Sequence, residues 1–243
     1  MRICCALPLA IVAVLVTAAT CQSGAEPGRG GPPSTAQLLR QHRVELTKDS
    51  LVRALQDPDP QVRYLAAEKL AEDGAQDARP FIATALRIEK VPDTRVNMAF
   101  ALALLKDENG IASLRSECSD GELPGYLRAR AATYLIDLHR EDCLDPVLNM
   151  LESDTDSDSR TQALSVLPSF HVGQQDSQRI FSAVANALAD QTPTVRLQAS
   201  VALGMLGNTV AIPALERALA AEENDAVRLQ MKSDLQKLRT ESK

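Results

Sequence analysis

Tryptophan is absent from the 243 residues, and aromatics amount to only 3%. That scarcity disfavours sheets, whose strands draw on aromatic and β-branched side chains. Ala and Leu dominate instead, a mixture that favours helices. Cationic excess is missing too: 26 Lys and Arg stand against 32 Asp and Glu, a net charge of −6. Such a chain repels phosphate backbones, so general nucleic-acid binding is disfavoured unless a local basic stripe exists. No Gly-rich phosphate loop, nucleophile elbow or Cys–His pairing is present. What remains is ordinary globular usage, with 45% hydrophobic and 24% charged residues, which sets aside disorder and collagen-like structure.

Behind Met1–Arg2 an apolar run without charge extends from Ile3 to Ala19. A short basic start, an apolar core and small residues after it match a secretory signal, expected over residues 1–20. "VTAATC" ends at Cys21 and resembles a bacterial lipoprotein box, so Cys21 is the expected lipidation site and a lipid anchor the expected membrane contact. Two alternatives stay open: plain cleavage after Ala19 or Ala25, and an uncleaved anchor at the lower edge of spanning length. Residues 21–34 are read as a flexible linker, since "QSGAEPGRGGPPS" holds four Gly and three Pro without hydrophobic periodicity. Residues 35–240 form the folded body.

A repeat organises that body. Arg63, Arg95, Arg128, Arg160, Arg196 and Arg228 are spaced by 32, 33, 32, 36 and 32 residues. Three residues after each stands Ala or Met, and seven after each stands Leu: Leu70, Leu102, Leu135, Leu167, Leu203 and Leu235. The positions one before and three, seven and ten after the arginine share one helical stripe. A second apolar segment precedes each such helix, across a turn such as "DPDP" or "DQTP", where Pro suits a helix start. Each unit is therefore helix, turn, helix. An acid six residues before the arginine is assigned in four units, as Asp57, Asp154, Asp190 and Glu222. Units two and three are read as departing from this pattern.

The segments "DPDPQVRYLAAEKLAEDG" and "DQTPTVRLQASVALGMLGN" resemble the HEAT-repeat family, especially its short version in phycobilin lyases, over roughly residues 48–240. The resemblance implies an all-α solenoid of about six antiparallel helix pairs with one preceding helix. The extra residues of the 36-residue spacing fall in "FHVGQQDS", and the polar last helix suits a cap. It also implies that the arginine ladder is structural, each Arg bonding turn acids and carbonyls to hold adjacent units in register. An accessory role in attaching a bilin-like cofactor is the alternative function it suggests. Recognition of DNA, as in HEAT-like glycosylases, conflicts with the charge and the leader. A di-iron HEAT-like hydroxylase would need repeated His-Glu pairs, whereas His42, His139 and His171 are followed by Arg or Val.

No catalytic residue, cofactor or metal is expected. Asp154, Asp156 and Asp158 alternate like the start of a calcium loop, but Ser159 and Ser165 stand where such a loop needs Gly and Glu. Cys118 and Cys143, the two cysteines of the body, fall on opposite edges of the repeat register, so no disulfide is expected between them. The back of each second helix carries Tyr64, Val96, Phe100, Ile136, Leu197, Val201 and Leu229. Lateral burial inside a solenoid explains them first. The functional reading makes Tyr64, Phe100, Ile136, Leu197 and Val201 apolar anchors for a protein or peptide, with the two aromatics preferred. The chain thus reads as a non-catalytic, exported and membrane-tethered binding scaffold.

Overall fold

A computed structural model describes the backbone of residues 32–241. The signal, Cys21 and all but the last three residues of the linker lie outside the described residues. Helix α1 (Thr35–Gln41) is followed by six pairs. They are α2 (Lys48–Ala54) with α3 (Pro60–Glu72), α4 (Arg79–Ile88) with α5 (Pro92–Leu104), and α6 (Glu108–Ser119) with α7 (Gly125–Asp137). Then come α8 (Leu144–Ser153) with α9 (Ser157–Val166), α10 (Gln174–Asn186) with α11 (Pro193–Leu206), and α12 (Ile212–Ala221) with α13 (Asp225–Glu241). No strand occurs among the described residues, and no helix there is long and apolar enough to cross a membrane. The fold is the expected all-α solenoid, and the extra residues before Arg196 lead from a short 3₁₀ turn into α10.

The helices start and stop where the repeat places turn chemistry. Asp59, Asp107 and Asp156 cap α3, α6 and α9 by accepting backbone N–H bonds. Pro60, Pro92 and Pro193 open the second helices, where no N–H is needed. Eleven residues after the arginine the chain turns left-handed, at Gly74, Lys106, His139 and Gly207, with φ of 66°, 61°, 58° and 64°. In the first three of these units the next N–H reaches back to the ladder leucine, at Leu70 (3.0 Å), Leu102 (3.3 Å) and Leu135 (2.9 Å), which satisfies the last carbonyls. His139 therefore occupies a turn position that favours glycine. Helix α1 ends the same way at Arg43 (φ 61°), with Val44 N–H bonded to Leu39. It is the second helix of a truncated leading unit, and buried Leu39 fills the ladder-leucine site.

Second helices pack against second helices from α1 through α13. Their stripes, including Val62, Ala66, Leu70, Val195, Ala199 and Leu203, form one continuous buried layer. Small residues permit tight approach: a Cβ on Gly110 of α6 would lie 2.5 Å from the Ala103 nitrogen of α5.

The two body cysteines are joined, which corrects the expectation from the register. Cys118, near the end of α6, and Cys143, at the start of α8, form a buried disulfide with Cα atoms 6.2 Å apart. The register assumes that successive first helices start level with one another. Here α8 begins beside the C-terminal half of α6 instead, and Arg115 pairs with Asp142 at 2.7 Å over the same junction.

Candidate functional site

Two constellations emerge from this frame: the arginine ladder and the exposed face of the second helices. In the ladder, Arg63, Arg160 and Arg196 each reach two turns at once. Arg63 donates through Nη1 to the Asp57 and Pro58 carbonyls of its own turn, at 2.8 and 3.1 Å. Its Nε and Nη2 fork onto Glu89 at 2.6 and 2.9 Å. Arg160 repeats this with the Asp154 and Thr155 carbonyls and with Asp190, and Arg196 with the Asp190 and Gln191 carbonyls and with Glu222. The carboxylate thus comes from the turn of the following unit, while the carbonyls come from the arginine's own turn. Each acid also accepts N–H bonds of its own turn, as Asp190 does from Thr192 and Glu222 from Asn224. One residue type therefore staples neighbouring pairs.

Unit two follows the ladder that the sequence reading denied it. Glu89 stands six residues before Arg95, and the fixed offset was available to find it. Glu122 has the same offset from Arg128 but is exposed, and Arg95 pairs with Glu117 instead. The longer turn before α7 moves the acid out of reach, and no offset signalled its replacement. Arg128 bonds Asp154 and the Ser159 hydroxyl, while its Nε is buried without a partner. Arg228, in the last unit, bonds the Glu222 carbonyl at 2.7 Å and meets no further turn. Asp57, at the other end, caps its own turn through Asp59 N–H.

Burial alone would raise the carboxyl pKa values of Glu89, Asp154 and Asp190, but guanidinium pairing and turn N–H bonds outweigh it and hold all three below the usual range. Glu222, held first by Arg196, falls to about 2. Because these groups titrate lower folded than unfolded, their stabilisation is fully present above the unfolded pKa near 4.5 for Glu222 and is lost as pH falls toward 2. The melting temperature is therefore expected to stay level from pH 7 to about 5 and then to drop steadily toward pH 2. A flat profile in calorimetry over that range would contradict the ladder's energetic role.

The anchor set from the sequence divides on the structure. Ile136 and Val96 are buried in the core, so they are packing residues, as lateral burial requires. Tyr64, Phe100, Leu197 and Val201 are half-buried, and Leu229 is exposed. Tyr126 and Tyr134, which the sequence reading left out, join Tyr64 and Phe100 on the same face. Phe100 stacks on Tyr134 with ring centroids 4.0 Å apart and planes 9° apart. The Tyr134 hydroxyl donates to Asn97 Oδ1 at 2.8 Å, and the Tyr126 hydroxyl to Asp93 Oδ2 at 2.9 Å. Arg130 spans the two tyrosines' helix, donating to Asp93 at 3.1 Å with its guanidinium 5.6 Å from the Tyr126 centroid. All three tyrosines and one of four phenylalanines therefore gather on the second helices of the first three pairs.

Among the described residues, no group of three or more His, Cys, Asp or Glu is placed to hold a metal ion. Asp154 and Asp156 instead serve their own turn, Asp154 accepting from Asp156 N–H and Asp156 from Ser159 N–H and hydroxyl. Helix pairs stacked in one direction, each clamped by an arginine to the next, define an α-solenoid. The chain belongs to the HEAT-repeat family: the family model described as HEAT repeats matches residues 48–135 and 144–233. No curated protein matches it. Solved structures similar to it include human deoxyhypusine hydroxylase in complex with glycerol, at 22% identity and TM-score 0.42, covering 79% of this chain and 74% of that one. The Escherichia coli protein YibA gives 17% and 0.43, covering 86% and 99%. The CpcE–CpcF complex of phycocyanin lyase from Nostoc sp. gives 18% and 0.38, covering 89% and 98%.

Proposed function

We propose that this chain is an exported, non-catalytic scaffold, tethered to a membrane through a lipid on Cys21, that binds a protein or peptide along its second-helix face. The observation that carries the binding reading is the gathering of Tyr64, Phe100, Tyr126 and Tyr134 on that face in a chain otherwise poor in aromatics. Aromatic side chains supply a large share of contact energy at interfaces, and Tyr126 keeps 43% of its surface exposed. The anchors are Tyr64 and Phe100, extended now to Tyr126 and Tyr134. Export is supported by the buried Cys118–Cys143 bond, since disulfides persist in oxidising compartments.

A photocrosslinking residue at Tyr126, compared with one at Phe81 on the first helix α4 (54% exposed), tests the reading in cells. The expected result is a discrete adduct in the membrane fraction from position 126 and none from position 81. Equal adducts from both positions, or none from 126, would sink the second-helix face as a binding surface. Intact mass beginning at Cys21 with an acyl group is the expected result for the tether, and an unmodified start at Thr20 or Glu26 would remove it.

A further inference from the structure

The second-helix face carries two aromatic–carboxylate arrangements, and only one holds a cation of the chain's own. In the first, Arg130 lies 5.6 Å from the Tyr126 centroid and bonds Asp93, which also accepts from the Tyr126 hydroxyl. Guanidinium, ring and carboxylate complement one another in charge there. The second is formed by Tyr64, Glu68, Phe100 and Tyr134. Glu68 follows Tyr64 by one turn of α3 and is half-buried. No Lys or Arg pairs with it among the described residues. Its neighbour Lys69 is committed to Glu72 and Asp73, at 3.4 and 2.5 Å.

These groups share one electrostatic neighbourhood. Burial first, and then Glu72, raise the pKa of Glu68, opposed by a hydrogen bond from the Thr35 hydroxyl. Burial raises the Tyr134 phenol as well, opposed by Arg130 and reinforced by Glu68, Asp137 and Tyr64. A half-desolvated carboxylate held by a single hydroxyl and no cation gains from an arriving cation. The surrounding charge agrees: among the described residues of the second helices of the first three pairs, Lys69 and Arg130, beside Glu68, Glu72, Asp93 and Asp137, are already paired.

We propose that Tyr64, Glu68, Phe100 and Tyr134 receive a lysine or arginine side chain from a basic segment of the partner protein. The incoming cation takes the place against Glu68 and Tyr134 that Arg130 takes against Asp93 and Tyr126. This rests on the scaffold reading and names the chemistry of its ligand.

The test is fluorescence anisotropy of the full chain with a labelled Gly/Ser peptide carrying four lysines, beside the same peptide carrying four glutamates. The lysine peptide is expected to bind and the glutamate peptide not to. Glu68→Gln should weaken the lysine peptide about tenfold, Glu68→Lys should abolish its binding, and Glu108→Gln, an equal charge change on exposed α6, should alter it less than twofold. Melting temperatures within a few degrees of wild type would show that the variants fold. Equal loss from Glu68→Gln and Glu108→Gln, or no loss from either, would overturn the proposal. So would failure of the lysine peptide to bind. If that failure accompanies an intact crosslink from position 126, the cation site falls and the scaffold reading stands; loss of both removes both.

Discussion

Replacing Arg160 by alanine is expected to lower the melting temperature by roughly 10 °C, whereas the same change at Arg228 should lower it by no more than a few degrees. The two arginines occupy the same position in the repeat, so sequence alone treats them as equals. Their partners differ. Arg160 forks onto Asp190, which is 15% exposed, and also holds the Asp154 and Thr155 carbonyls. Without it, a nearly buried carboxylate keeps only its turn N–H and hydroxyl partners and two carbonyls lose a donor. Breaking such a pair from one side costs about 3–5 kcal/mol, and in a body of this size each kcal/mol shifts melting by about 2–4 °C. Arg228 has only the Glu222 carbonyl of its own turn, while the Glu222 carboxylate pairs with Arg196. Thermal melts of the two variants decide the matter. Equal losses would mean that each arginine acts within its own unit, and the inter-unit staple would be wrong.

That contrast also marks how far the sequence could be read. The period, the ladder leucine and the helix–turn–helix unit were legible because each unit must bury the same stripe against a neighbour, and six units repeat the requirement. The truncated leading unit was legible only as a helix. Its kinship with the repeat shows in the left-handed Arg43 and the buried Leu39, neither of which a periodicity search weights. The direction of the ladder was hidden for a different reason. An acid six residues before an arginine looks like that arginine's partner within one unit, yet the side chain is held by turn N–H groups and aimed at the preceding unit's arginine. Glu117 carried no signal at all, since a lengthened turn replaced the expected acid with one from the preceding helix.

The candidate site was half legible. Tyr64 and Phe100 follow from the helical wheel, because they lie opposite the buried stripe. The wheel gave Ile136 equal standing, but that position is buried in the core. Tyr134 sits close to the core stripe on its own wheel. Its role appears only across helices, where Phe100 of α5 stacks on it and Asn97 fixes its hydroxyl. Contacts between units depend on their stagger and rotation, which one helix's pattern does not encode. The same limit explains why Glu68, an unremarkable surface acid in sequence, becomes the carboxylate without a cation in an aromatic surround.

The Cys118–Cys143 bond is the feature where stagger overrode register, and removing it should have an effect as large as losing a ladder rung. The bond closes a loop with a sequence separation of 25 residues, and cross-links of that span stabilise by about 3 kcal/mol, mainly by restricting the unfolded chain. Cys118→Ser with Cys143→Ser is therefore expected to lower the melting temperature by roughly 10 °C. The native side of the balance adds little relief, since both positions are buried and a serine hydroxyl placed there must find a partner. The loss should be local in origin: the bond fixes α8 beside the C-terminal half of α6, where Arg115 and Asp142 also meet. Hydrogen exchange should accordingly rise first in α6 and α8, with α11 and α13 protected until global melting. Non-reducing digestion of the chain isolated from cells should yield one peptide pair linking residues 118 and 143. An unchanged melting temperature in the double serine variant, or free thiols at both positions in the chain isolated from cells, would refute the staple and withdraw the support it lends to an oxidising compartment.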